Sequence, residues 1–144
     1  VVGEEFGVIP MTNYVFPVTR GNRIVQTGSA GGSSKPSSGY TFLRIQRHVQ
    51  KIADALEQGK SPIISANSNP RYRFYDSVLL NILKNRGDLS EKIFSHLFQN
   101  NSISSVFRFL DEEGGLQNDL KIITSLPPVP FLKSTIQLAA KSIS

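Results

Sequence analysis

The stretch GSAGGSSKPSSG, residues 28–39, constrains this chain more than any other part, because only Lys35 among its twelve residues carries a large side chain. A segment so poor in apolar atoms buries almost no surface of its own, and its glycines open backbone conformations that side chains forbid. It must be a loop held between elements that fold for other reasons. Ahead of it, VVGEEFGVIPMTNYVFPVT, residues 1–19, is rich in β-branched and aromatic residues punctuated by Gly3, Gly7, Pro10 and Pro17. That pattern predicts two short strands with bends. Gly21-Asn22 is a turn signal, and Arg23 to Thr27 predicts a short strand on the same sheet.

Behind the loop the period becomes helical. Phe42, Ile45, Val49, Ile52, Ala53 and Leu56 recur at three and four, while Arg44, Arg47, Gln50, Lys51 and Glu57 take the other face. The helix stops at Gly59, and Ser37 or Ser38 is its expected N-cap. His48 falls on the polar side and is expected in solvent, as is His96. Residues 60–70, KSPIISANSNP, form a linker. Beyond it, Tyr72, Tyr75, Val78, Leu79, Ile82 and Leu83 mark a helix up to Gly87, its expected C′ residue. Asp88 with Glu91 predicts a capping box for a helix bearing Ile93, Phe94, Leu97 and Phe98. Ser102 caps another with Val106, Phe107 and Leu110, ended by Gly114-Gly115. Leu116 to Thr124 is helical, the prolines at 127, 128 and 130 break it, and Phe131 to Ser142 is a last helix. The expected organisation is residues 1–59, a linker 60–70 and a helical region 71–144, with no internal repeat.

Composition narrows the function. With no cysteine, disulfide scaffolds, thiolate catalysis and Cys-ligated metals are excluded, and the two histidines lack the spacing of a zinc helix. At 144 residues the chain suits one domain, burying roughly 70% of its unfolded surface. The opening residue, Val1 rather than Met, in sheet-like sequence predicts a piece of a longer polypeptide. No apolar run reaches the length of a membrane span and no signal peptide opens the chain. The net charge of +5 comes from scattered basic residues, which allows contact with phosphates or an anionic membrane surface without requiring it and gives no nucleic-acid motif.

The glycine-rich loop matches neither familiar phosphate motif. Ser34 precedes Lys35 and Pro36 follows it, which is no P-loop, and the glycines do not fall as G-x-G-x-x-G. What is left is a strand, a loop of small residues and a helix, an arrangement that offers backbone N–H groups and a helix dipole to an anionic or electron-rich group, or is merely a tight loop. Asp111-Glu112-Glu113 at a helix end reads as a solvated acidic cluster, Arg86-Gly87-Asp88 as a helix junction, and Asn100-Asn101-Ser102 as a cap rather than a glycosylation site. The aromatic residues after position 70 read as core.

GVIPMTNYVFP followed by GSAGGSSKPSSGYTFLRIQR resembles the lycopene cyclase family of flavoproteins, specifically the bacterial lycopene β-cyclases. The matching motifs are Val8-Ile9-Pro10-Met11, Gly28-Ser29-Ala30-Gly31 and Pro36-Ser37-Ser38-Gly39-Tyr40, and RYRFYDSVLLNIL, RFLDEE and DLKIITSLP extend the likeness over nearly the whole chain. The resemblance implies an α/β fold, α+β in this chain: the C-terminal part of an FAD-binding, aromatic-hydroxylase-like architecture, with short strands followed by a helical bundle. It implies FAD in its reduced form, NADPH as reductant, and a linear carotenoid such as lycopene taken from the cytoplasmic side of a bacterial membrane by a peripheral enzyme. Gly28, Ser29, Ala30, Gly31, Pro36, Ser37, Ser38, Gly39, Tyr40 and Thr41 would contact the FAD, with Ser29 where hydroxylases carry an Asp. Phe6, Met11 and Phe16 would line the polyene site, with Glu5 a polar neighbour of the reacting end. The family's Phe-Leu-Glu-Glu-Thr-like acidic motif lies upstream of Val-Ile-Pro-Met, so Phe109-Leu110-Asp111-Glu112-Glu113 does not take its role. The missing N-terminal part of the polypeptide would complete the enzyme, and the chain alone is expected to be inactive. The same features leave room for another FAD enzyme of lipophilic substrates, a monooxygenase or polyprenyl reductase, or for a non-catalytic basic module at lipid surfaces.

Overall fold

A computed structural model describes residues 3–21, 24–66 and 69–143. Among the described residues the chain is mostly helical with one two-stranded sheet, an α+β composition. It divides into two compact units, Val1–Asn67 and Ser68–Ser144.

In the first unit, β1 (Thr19–Arg20) pairs antiparallel with β2 (Ile24–Val25), Thr19 opposite Val25 and Arg20 opposite Ile24. The two longer strands expected ahead of residue 19 do not form: residues 3–17 join no ladder among the described residues. Val1 and Val2, and Asn22 and Arg23 of the expected turn and strand, lie outside the described residues. Residues 3–17 run as irregular backbone with large apolar side chains outward, Phe6 at 91% exposure and Val8 at 79%. β-branched and aromatic residues favour a strand only when a neighbour accepts its hydrogen bonds, and these residues have no such neighbour among the described residues.

Helix α1 (Phe42–Glu57) follows the glycine-rich loop, as the period predicts, and unwinds through Gln58 into Gly59 at φ 65°. Its inward side is the expected one only in part: Ile45, Ile52 and Ala53 are half-buried and Gln50, Lys51 and Glu57 exposed. Phe42, Val49 and Leu56 are exposed, whereas Arg44 is half-buried and His48 buried. The N-cap position belongs to Thr41, not to Ser37 or Ser38, and its side chain makes no capping bond.

The second unit is helical throughout: α2 (Pro70–Asn85), α3 (Ser90–Gln99), α4 (Ile103–Leu110), α5 (Leu116–Thr124) and α6 (Pro128–Ile143). Asn69 caps α2 by accepting from the Arg71 N–H at 3.0 Å, with Pro70 at the first helical position, where its missing N–H is harmless. Val78, Ile82, Ile93, Leu97, Val106, Ile122 and Leu126 form the buried core, and α2 packs on α6 and α4 on α5. Phe94, Phe109 and Phe131 pack against that core, but Phe74, Phe98 and Phe107 are exposed.

Several junctions differ from expectation. Gly87 is not a left-handed C′ residue but opens a short 3₁₀ turn, Gly87–Leu89. Asp88 does not cap α3, because the Arg86 guanidinium takes both of its carboxylate oxygens, at 2.9 and 2.6 Å. This pairing raises the Arg86 pKa and lowers that of Asp88. Ser102 caps α4 as expected, through the Ser105 N–H. Helix α4 stops at Leu110 rather than at the glycines, and Glu112 takes the left-handed turn at φ 62°. Pro128 and Pro130 open α6 instead of preceding it, which proline tolerates in a first turn whose N–H groups have no helical partner. Asn101 is buried, donating to the Leu97 carbonyl at 3.0 Å and Ser125 Oγ at 2.7 Å, so it ties α3 to the end of α5.

Candidate functional site

The site expected from the sequence lies wholly in the first unit. Gly28–Gly31 form one turn of 3₁₀ helix, closed by the Gly31 N–H donating to Thr27 O at 3.1 Å and the Gly32 N–H to Ser29 O at 3.2 Å. The Ser33 N–H returns to Gly28 O at 3.0 Å. A Cβ at Gly31 would overlap the carbonyl of Gln26, so the loop's backbone lies directly against the end of β2. This close approach is why small residues are needed there. Ser34 Oγ donates to Ser29 Oγ at 3.2 Å, which leaves the Ser29 hydroxyl its own hydrogen to donate.

The second half of the loop turns on Lys35. Its N–H donates to Tyr40 O at 2.8 Å, and its carbonyl accepts from Ser38 N at 3.3 Å and Gly39 N at 2.8 Å. Gly39 at φ 72° lets the chain leave this turn and enter Tyr40, Thr41 and α1. Ser37 is buried, while Pro36, Ser38, Tyr40 and Thr41 are half-buried. Lys35 is only 2% exposed, which puts a buried basic residue inside the loop. Arg44 brings a second, its Nε donating to the Ser33 carbonyl at 3.0 Å.

The segment ahead of β1 lies on this loop. A Cβ at Gly32 would stand 3.2 Å from the Phe16 ring, and one at Gly39 would stand 3.3 Å from Ile9 Cγ2. Phe16 meets Tyr14 edge to face at 5.1 Å. Of the residues assigned to a polyene site, Phe16 is thus beside the loop, whereas Phe6, Met11 and Glu5 are exposed.

Sequence reasoning missed the side chains that hold the loop in place. Ser33 is fully buried and His48 is 4% exposed, against the expectation that His48 is solvated. His48 Nε2 lies 2.7 Å from Ile64 O, and since a carbonyl only accepts, Nε2 carries the hydrogen. In the neutral ring Nδ1 then accepts from the Ser33 hydroxyl at 3.4 Å. The signal was the i, i+4 spacing of Arg44 and His48, which puts both on one side of α1. His96 is half-buried, its Nδ1 3.4 Å from the Asn100 amide nitrogen.

In the second unit, Asp111 and Glu112 are half-buried and Glu113 is exposed, so the acidic string is only partly solvated. No group of three or more His, Cys, Asp or Glu side chains among the described residues could hold a metal. No helix among them is long and apolar enough to cross a membrane.

No curated protein and no solved structure matches the chain. The model of the family described as lycopene cyclase protein matches residues 1–136, nearly the whole length, and the chain therefore belongs to the lycopene cyclase family.

Proposed function

We propose that this chain is the C-terminal, FAD-contacting part of a lycopene β-cyclase, an enzyme that closes the ends of lycopene into β-ionone rings with no net redox change. The family match over residues 1–136 carries this reading and already supports an enzyme of carotenoid biosynthesis. The fold it belongs to is then the FAD-binding, aromatic-hydroxylase-like architecture.

The loop suits the cofactor on its own chemistry. Gly28 has open space where a Cβ would stand, and Ser29 has a hydroxyl hydrogen to donate. Residues 28–31 would take the ribityl side of FAD, and residues 36–41 with the start of α1 the flavin ring. Bound FAD in its reduced, anionic form, kept so by NADPH, supplies negative charge beside a developing carbocation. Ring closure needs a proton at a terminal double bond, a cation shielded from water, and a base to set the new double bond. Phe16, over Gly32, contributes apolar shielding at the loop, with Phe6 and Met11 further along the polyene path and Glu5 the carboxylate of this chain nearest in sequence to that path. A C40 polyene resides in lipid, and the net charge of +5 with exposed Phe98 and Leu132 suits a peripheral enzyme on an anionic, cytoplasmic membrane face. The test is incubation of the purified full-length protein with lycopene, FAD and NADPH in liposomes: cyclised product supports the reading, and none from flavin-loaded protein refutes it.

A further inference from the structure

A loop built of glycine and serine loses much conformational freedom on ordering and brings few apolar contacts to offset the loss. Its shape must be imposed from outside, and the imposing contacts converge on Ser33. We propose that His48 and Arg44 are positioning residues that clamp the glycine loop through Ser33 and so set its affinity for FAD without touching the cofactor. The proposal rests on the placement of FAD at residues 28–41 given above.

Ser33 offers both of its oxygens to α1. Its carbonyl accepts from Arg44 Nε at 3.0 Å and its hydroxyl is hydrogen-bonded to His48 Nδ1 at 3.4 Å. The same two side chains reach past α1 to the segment that follows it, His48 Nε2 to Ile64 O at 2.7 Å and an Arg44 terminal nitrogen to Ala66 O at 3.3 Å. Three stretches of chain distant in sequence are thus stitched at one serine. Ser33 is fully buried, so water does not take over a lost bond cheaply. Its N–H holds Gly28 O, and the neighbouring Ser34 holds the Ser29 hydroxyl. A shift at Ser33 therefore moves Gly28 and Ser29, the residues that face the cofactor.

The test uses apo full-length protein titrated with FAD, comparing wild type, Ser33→Ala, His48→Gln and the double variant. Ser33→Ala removes the hydroxyl without adding bulk, and His48→Gln offers an N–H to Ile64 while disrupting the acceptor for Ser33. Each single change should weaken FAD binding roughly 3- to 10-fold, the value of one hydrogen bond. The double variant should be no weaker than the worse single one, because both remove the same contact. Tyr72→Phe, in the other unit, should lower thermal stability and leave FAD affinity unchanged. If the Ser33 and His48 variants melt earlier but bind FAD as wild type does, the clamp is structural only and the proposal is overturned. Should His48→Gln fail to fold, Ser33→Ala alone decides. A wild-type protein that binds no FAD overturns the flavin reading itself, and with it this one.

Discussion

Arg71, in the first turn of α2, and Asp119, in the first turn of α5, form an ion pair with Nε 3.0 Å from Oδ2, and the carboxylate is fully buried. The Tyr72 hydroxyl lies between Gly114 O at 2.8 Å and Asp119 Oδ1 at 3.2 Å, and the guanidinium also donates to Gly114 O at 3.0 Å. Chain segments distant in sequence close on one another through these groups. Asp119→Ala should cost the second unit about 1.5–3 kcal/mol, the range for hydrogen bonds to a charged group. Arg71→Leu should destabilise more than Asp119→Asn, since it strips the guanidinium from a buried carboxylate whereas the asparagine removes the charge. Urea unfolding followed by circular dichroism gives the order; an Arg71→Leu protein as stable as wild type would show that the pair contributes nothing.

Burial holds the pKa of Tyr72 above its ordinary value despite the neighbouring Arg71, and burial does the same for Tyr75. A phenol raised in the folded state stays protonated while its unfolded counterpart ionises, so stability is intact below about pH 10 and falls as pH rises through the folded value. Melting temperatures measured from pH 8 to 11 should drop above about pH 10. Tyr72→Phe should flatten part of that drop while lowering stability at neutral pH by about 1 kcal/mol.

How far the fold was legible depends on how local its causes are. Helices α3 and α5 follow from apolar residues at three and four, a pattern any packed neighbour satisfies. Strand signals before Thr19 failed because a strand needs a partner that its own residues do not specify. Asp88 looks like an N-cap in sequence, but Arg86 two residues earlier competes for its carboxylate and wins both oxygens. Pro128 and Pro130 carry a helix-breaking signal that reverses in a first turn. The glycine loop was legible as a loop, because its composition leaves nothing for a helix or strand to bury. Its support was not: serine and histidine default to the surface, and the bonds of His48 to Ile64 O and of Arg44 to Ala66 O depend on a chain path that local pattern does not specify.

Three glycines test the loop's placement at the cofactor. Gly31→Ala puts a Cβ into the Gln26 carbonyl, and Gly39→Val forces a β-branched residue to φ 72° against Ile9, about 1–3 kcal/mol of backbone strain. Purified full-length variants should carry clearly less flavin per polypeptide by absorbance than wild type. Gly28→Ala meets open space for its Cβ but holds a side chain at φ 65°, so it should strain the loop modestly and lower flavin content as well. Full flavin occupancy in Gly39→Val would place the cofactor elsewhere.

The 144-residue chain by itself should associate and hold no stoichiometric flavin. Phe6, Val8, Ile9, Met11, Tyr14 and Val15 all lie at 47% exposure or more, a run of apolar surface beyond what isolated exposed residues amount to. Light scattering after size exclusion should find oligomers at micromolar concentration, and Phe6→Ser with Val8→Ser should shift them toward monomer. A monodisperse wild-type monomer would contradict this.

Expression of the full-length gene in a bacterium that accumulates lycopene, with pigment analysis of the cells, tests the central claim most directly. The account predicts β-carotene, formed with no gain or loss of hydrogen or oxygen. Unchanged lycopene beside a soluble, flavin-loaded protein would contradict it, and an oxygenated or hydrogenated pigment would assign the chain to a different flavin chemistry.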